Sequence, residues 1–270
     1  MRISIEHQTI YRYPGEVLHT AQYLHLSPRN NPSQRIEDWR IDAPGQLTPW
    51  EDAYGNICHT LVEDRPTTEI VVTARGRVQT TDTAGVLPPD ADDPPIGIFL
   101  RPTPLTRATP EIRAFAADFR RAAADSQMDG LHALMNGVRD RLEYTAGATH
   151  GQSTAAEALA KGAGVCQDFA HLFVACARSL AIPTRYIGGY LYDGQQPMPV
   201  TAGHAWAEAW VEKLGWVSFD VANGVYGTEN HVGAAVGLDY NDVAPIRGVR
   251  VGGVEDERME VAIWISRSDQ

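Results

Sequence analysis

Gly162-Ala-Gly-Val-Cys-Gln-Asp-Phe-Ala-His-Leu-Phe-Val-Ala-Cys-Ala-Arg-Ser-Leu180 runs a glycine-rich turn straight into an apolar-periodic segment. Phe169, Leu172, Phe173, Cys176, Ala177 and Leu180 recur at three- and four-residue steps, which predicts a helix with one face against a core. Cys166 falls in its first turn. Unpaired backbone N–H groups and the positive end of the helix dipole favour a thiolate there. A thiol so placed is a candidate nucleophile, and its base has to be sought elsewhere in the chain.

Working outward, the segments before and after this helix differ in period. Thr109-Pro110 reads as an N-cap and first helical residue, opening a helix to about Ala124. Leu131, Leu134, Met135, Val138 and Leu142 mark a second helix. Ser153–Ala160 is a third, short one, stopped by Gly162. Pro183 ends the Cys166 helix. Strands are then expected at Thr184–Tyr192, His204–Val211, Gly215–Asp220 and Met259–Ser266. Helices followed by an antiparallel sheet make an α+β catalytic domain over 110–270.

Upstream, Ile3–Ile5, Tyr23–Leu26, Ile36–Ile41, Ile57–Leu61 and Ile70–Val72 alternate with a period near two. Turn residues such as Tyr13-Pro-Gly15 and Tyr54-Gly-Asn56 separate them, so 1–81 is expected to be an all-β sandwich. The proline-rich segment 82–109, with Leu87-Pro-Pro-Asp-Ala-Asp-Asp-Pro-Pro95, is expected to be a linker.

His204 heads a strand of strict alternation, with His204, Trp206, Glu208 and Trp210 on one face. The turn at Lys213-Leu-Gly215 folds it onto Trp216–Asp220, pairing residues whose numbers sum to roughly 425, so Asp220 is expected beside His204. Cys166, His204 and Asp220 then have the roles of nucleophile, base and orienting acid. The oxyanion would be held by the Cys166 N–H and one further donor, for which Tyr144 is a candidate. Gln167 is a weaker one.

Neighbouring residues read as structural. Cys58 and Cys176 are expected to be buried thiols. His171 lies about 140° round the helix from Cys166 and is expected to pack. Asp168 is read as stabilised by the helix dipole, with a substrate contact as the other option. Trp206, Trp210 and Trp216 fit a cleft wall or the core equally. Glu208 stands about 13 Å along the strand from His204, too far to share a metal.

These residues carry a resemblance. Gly164-Val-Cys-Gln-Asp-Phe-Ala-His171, Ile182-Pro-Thr-Arg-Tyr186, His204-Ala-Trp-Ala-Glu208 and Gly215-Trp-Val-Ser-Phe-Asp220 resemble the bacterial transglutaminase-like cysteine peptidases. Leu26-Ser-Pro-Arg29 and Asp52-Ala-Tyr-Gly-Asn56 resemble that family's N-terminal β-domain, and His231–Tyr240 with Asp242-Val-Ala-Pro245 its C-terminal extension. The resemblance implies a papain-like transglutaminase core and assigns nucleophile, base and acid to Cys166, His204 and Asp220. It implies an amide-bond enzyme and does not fix hydrolysis or glutamine acyl transfer; hydrolysis is favoured because water needs no dedicated second site, and a non-catalytic binding scaffold is the alternative from another class. The chain departs from the family pattern at Val221-Ala222, usually Pro-Thr, and at Leu238, usually arginine.

Composition sets the frame. The 270 residues carry a net charge of −11 and 43% hydrophobic residues, which argues for a globular core and against nucleic acid or anionic membrane as partner. Three cysteines without a CxxC pair give neither a disulfide framework nor a four-ligand zinc site. No cofactor or metal is expected. The expected partner is a peptide or protein amide substrate, the expected location is the cytoplasm, and oligomeric state is left open.

Overall fold

The computed structural model describes residues 1–89, 93–194, 199–253 and 256–268. Asp90-Ala-Asp92 of the proline-rich run and 195–198 of the loop before His204 lie outside them.

The first sheet is organised on one strand, β1 (Arg2–Ser27), with β2 (Gln34–Asp42), β3 (Gln46–Glu51), β4 (Ile57–Glu63) and β5 (Thr67–Thr80) antiparallel to it or to each other in the order β2-β5-β1-β4-β3. The expected turn at Tyr13-Pro-Gly15 does not reverse the chain. Pro14 and Gly15 fall where the pairing with β5 slips, between Arg12 and Val17, so the missing donor leaves no ladder bond unmade. The buried positions of β1 change phase there as well, from odd residues up to Val17 to even residues from Thr20. β1 therefore has two halves, and side chains from both meet in one core: Tyr11, Val17, Leu24, Leu26, Leu61, Ile70 and Val72.

The described residues of the proline-rich segment wrap against the rest of the fold. Val86–Leu87 forms β6, and Phe99 is fully buried in a cluster with Trp206 and Trp216. Helices α1 (Pro110–Ala117), α2 (Arg120–Asp125) and α3 (Gln127–Arg141) follow. Thr109 caps α1 by accepting from the Ile112 N–H, as the sequence predicts. The helix expected through Ala124 breaks at Phe119, whose ring occupies the space left by Gly137 on α3; a Cβ there would stand 2.3 Å from the ring.

β7 (Glu143–Tyr144) and β8 (Ala163–Gly164) pair in parallel around α4 (Ala155–Lys161), a helix with a Thr154–Glu157 capping box and Gly162 left-handed at its end. α5 (Cys166–Ser179) follows, then β9 (Thr184–Leu191), β10 (His204–Val211), β11 (Gly215–Asp220), β12 (Val225–Tyr226) and β13 (His231–Gly237). These strands form the second sheet, in the order β12-β11-β10-β9-β13, with β6 beside β11. Ala207, Ala209, Val217 and Phe219 bury one face against Leu172, Phe173 and Cys176 of α5. The other face meets the first sheet through Ile3, Ile5, Tyr190 and Val232.

After α6 (Tyr240–Val243) the chain returns to the first sheet. β14 (Ile246–Gly252) pairs with the second half of β1, and β15 (Arg258–Arg267) with its first half. The strand expected over Met259–Ser266 thus forms, but on β1 and outside the sheet that carries His204. The fold is α+β, an N-terminal β-sheet region followed by helices packed on a second antiparallel sheet.

Candidate active site

Cys166 is the first residue of α5, and the turn before it is built for that position. The Asp168 carboxylate folds back so that Oδ2 accepts from the Val165 N–H (2.8 Å) and from the Thr149 hydroxyl (2.6 Å). This bend passes directly over Gly164, where a Cβ would meet that carboxylate at 2.6 Å. Asp168 is buried, and burial raises its pKa. Through Oδ2 it clamps the helix start, while its Oδ1 is buried without a hydrogen-bond partner. Gln167 donates to the Gly151 carbonyl at 3.2 Å.

His204 opens β10, at the end of the strand nearest the α5 start. Its Nε2 lies 2.8 Å from Asp220 Oδ2, which leaves Nδ1 as the ring nitrogen on the Cys166 side. The observed register pairs Ala207 with Phe219, one residue along from the expected one, so Asp220 reaches His204 diagonally. Burial works against the imidazolium, but hydrogen bonds to Asp220 and Cys166 outweigh it and raise the His204 pKa to about 9. Asp220 has no exposed surface. Burial opposes its charge too, yet hydrogen bonds from His204 and His231 hold its pKa far below the carboxylate range. The structure thus brings Cys166, His204 and Asp220 together, with His204 hydrogen-bonded to Asp220 and close enough to Cys166 for the thiol to raise its pKa.

The sequence reading missed a second histidine on the same carboxylate. His231 Nε2 stands 3.0 Å from Asp220 Oδ2, and Asn223 Nδ2 donates to that oxygen at 2.7 Å. The tautomer of His231 is set by the Thr228 N–H, which donates to Nδ1 at 3.1 Å and so leaves the proton on Nε2, facing Asp220. Asn223 keeps this contact with Val221-Ala222 before it, and Val221 is buried in the main core. Leu238 puts its side chain among Trp206, Trp216 and Phe99, while its carbonyl accepts from Arg178.

The remaining candidates fall where packing puts them. His171 is fully buried, accepts from the Tyr240 N–H at 3.1 Å, and burial lowers its pKa to about 3. Tyr144 is largely exposed, with its ring 6.2 Å from that of Phe169, and lies near enough for Cys166 to raise its pKa, after the larger effect of burial. Trp206 and Trp216 are core residues. Glu208 pairs with Arg185 at 2.7 Å, and that guanidinium stacks on Trp216 at 4.2 Å. Cys58 and Cys176 are buried; burial pushes the Cys58 thiol up to about 12.

Two groups among the described residues hold possible metal-ligand atoms within 4.8 Å of one another: His25, Asp52 and Cys58, and His204, Asp220 and His231. In the first, both Asp52 oxygens already accept from the Tyr54 N–H and the Asn56 backbone and side-chain N–H groups. In the second, both imidazoles share one Asp220 oxygen.

The chain belongs to the transglutaminase-like superfamily: residues 113–221 match that family, and residues 3–79 match the bacterial transglutaminase-like N-terminal region. An uncharacterized protein of Mycobacterium leprae is 30% identical over 285 residues, covering 98% of this chain and 99% of that one. One of Mycobacterium tuberculosis H37Rv is 26% identical over 298 residues, covering 97% and 91%. The fold is shared with a Cytophaga hutchinsonii protein solved as a "putative cysteine protease", with a TM-score of 0.72, 22% identity, and 100% and 92% of the two chains covered.

Proposed function

We propose that the protein is a thiol-dependent amide-bond hydrolase, a cysteine peptidase or amidase. The observation that carries this is the chain Cys166–His204–Asp220, with the thiol at a helix start and His204 held by a buried carboxylate. His204, its pKa raised to about 9, holds the proton that the Cys166 thiol gives up on attack. The sulfur adds to the amide carbonyl carbon. The oxyanion forms beside the free N–H groups of the first helical turn. As the C–N bond breaks, Nδ1 gives its proton to the leaving amine, and the neutral ring then takes a proton from the water that cleaves the thioester. Asp220 keeps its charge throughout and holds the ring by Nε2.

The test is alkylation by iodoacetamide across pH together with peptide turnover. Cys166 is expected to be labelled well below the range of a free thiol, and Cys166→Ala to lower hydrolysis by about a thousandfold or more. Ordinary thiol reactivity at Cys166, or full activity in the variant, would sink the assignment. Incorporation of a labelled amine into a glutamine-containing acceptor, in place of hydrolysis, would move the reaction to acyl transfer.

A further inference from the structure

Cys166 and His204 open into a cleft of about 250 Å³ whose far wall is made by the first sheet. His7, Thr9 and Tyr11 line it from β1, and Met259 and Val261 from β15. Tyr240, on α6, lines it as well. The chain has 34 acidic and 23 basic residues, yet no aspartate, glutamate, lysine or arginine lines this cleft among the described residues.

Several polar groups in the wall are already bonded. His7 Nδ1 lies 3.0 Å from the Tyr190 hydroxyl and its Nε2 3.2 Å from that of Thr9. Burial lowers the His7 pKa to about 4 and also lowers that of His25, whose Nδ1 bonds to the Ala244 carbonyl at 3.2 Å. Both rings are therefore neutral near pH 7. Burial likewise holds the Tyr11 and Tyr240 phenols protonated. Beyond the Cys166–His204 pair itself, a charged group entering would lose its water and find no charged side chain among the described lining residues, a cost of several kcal/mol. An apolar one would lose only unfavourable hydration. A cavity of about 150 Å³ is enough to hold benzene, so this one has room for a single large side chain.

We infer that the cleft is the specificity pocket for the acyl side of the substrate, and that it takes an uncharged aromatic or branched aliphatic side chain next to the scissile carbonyl. The inference rests on Cys166 being the nucleophile, and it gives the N-terminal sheet a direct part in substrate choice.

The test compares four acetyl-aminoacyl chloromethyl ketones, with leucyl, phenylalanyl, glutamyl and lysyl side chains, by their second-order rates of Cys166 alkylation. The leucyl and phenylalanyl reagents are expected to label at least about tenfold faster than the charged pair. Met259→Glu places a carboxylate at an exposed rim position, where folding is little affected. It is expected to speed the lysyl reagent and slow the phenylalanyl one. Equal rates across the four, or a Met259→Glu protein with unchanged preferences, overturns the pocket while leaving Cys166 as nucleophile. Failure of all four reagents and of iodoacetamide to label Cys166 overturns both.

Discussion

At the scale of single residues, one oxygen carries most of the site's logic. Asp220 Oδ2 faces His204, His231 and Asn223 together, so the pull it exerts on the His204 ring is shared among three donors. Removing one donor strengthens the remaining bonds. His231→Leu is therefore expected to raise the His204 pKa further while loosening Asp220, with kcat falling roughly tenfold and KM changing little. In the wild type, protonation of the leaving amine fails as pH rises through the His204 pKa, so kcat/KM is expected to fall above about pH 9. In His231→Leu that limb moves to higher pH, and His231→Gln, which can donate from a similar position, restores it. An unmoved limb in a folded His231→Leu protein would show a purely structural role. Cys166, His204 and Asp220 were legible in the sequence because a helix start and a hairpin each bring residues together by local geometry. His231 was not, because it reaches Asp220 through a tertiary turn anchored at Thr228.

At the scale of elements, α5 does two jobs from its two ends. Its start presents Cys166, while near its end the buried Arg178 binds the carbonyls of Phe99, Thr184 and Leu238 and the hydroxyl of Thr106. One side chain thereby fastens the 96–106 segment, β9 and the approach to α6 to the same helix. Arg178→Met leaves those carbonyls buried without donors and is expected to cost about 3–5 kcal/mol, read from chemical denaturation. A loss below about 1 kcal/mol would mean that water replaces the guanidinium. The helix itself followed from apolar spacing, and the caps at Thr109 and Thr154 from residue type. The proline-rich segment reads as a linker that wraps or spaces the domains, and its anchors, Phe99 and Thr106, have partners far away in the sequence that no local pattern reveals.

At the scale of the whole molecule, the two sheets are one construction. β1 contributes core residues to both halves of the first sheet, packs Ile3 and Ile5 on the second, and lines the cleft with His7, Thr9 and Tyr11. Period-two alternation marked parts of β1, β2, β4 and β5, but not β3 or β14. It could not say that β14 and β15 return to β1, since strand pairing over more than 200 residues leaves no mark in either segment alone. Deleting residues 246–270 is expected to expose one edge of β1 along both halves and give aggregated protein on size-exclusion chromatography. A soluble, monodisperse truncated chain would show that β4 and β5 suffice. The pairing of Arg12 with Arg258 also sets a clock on synthesis. At about 5–20 residues per second, roughly 12–50 s pass between making one partner and the other. Over the last 92 of the 246 residues that separate them the nascent chain already holds Cys166 with no finished wall opposite, so selectivity is among the last properties the ribosome confers.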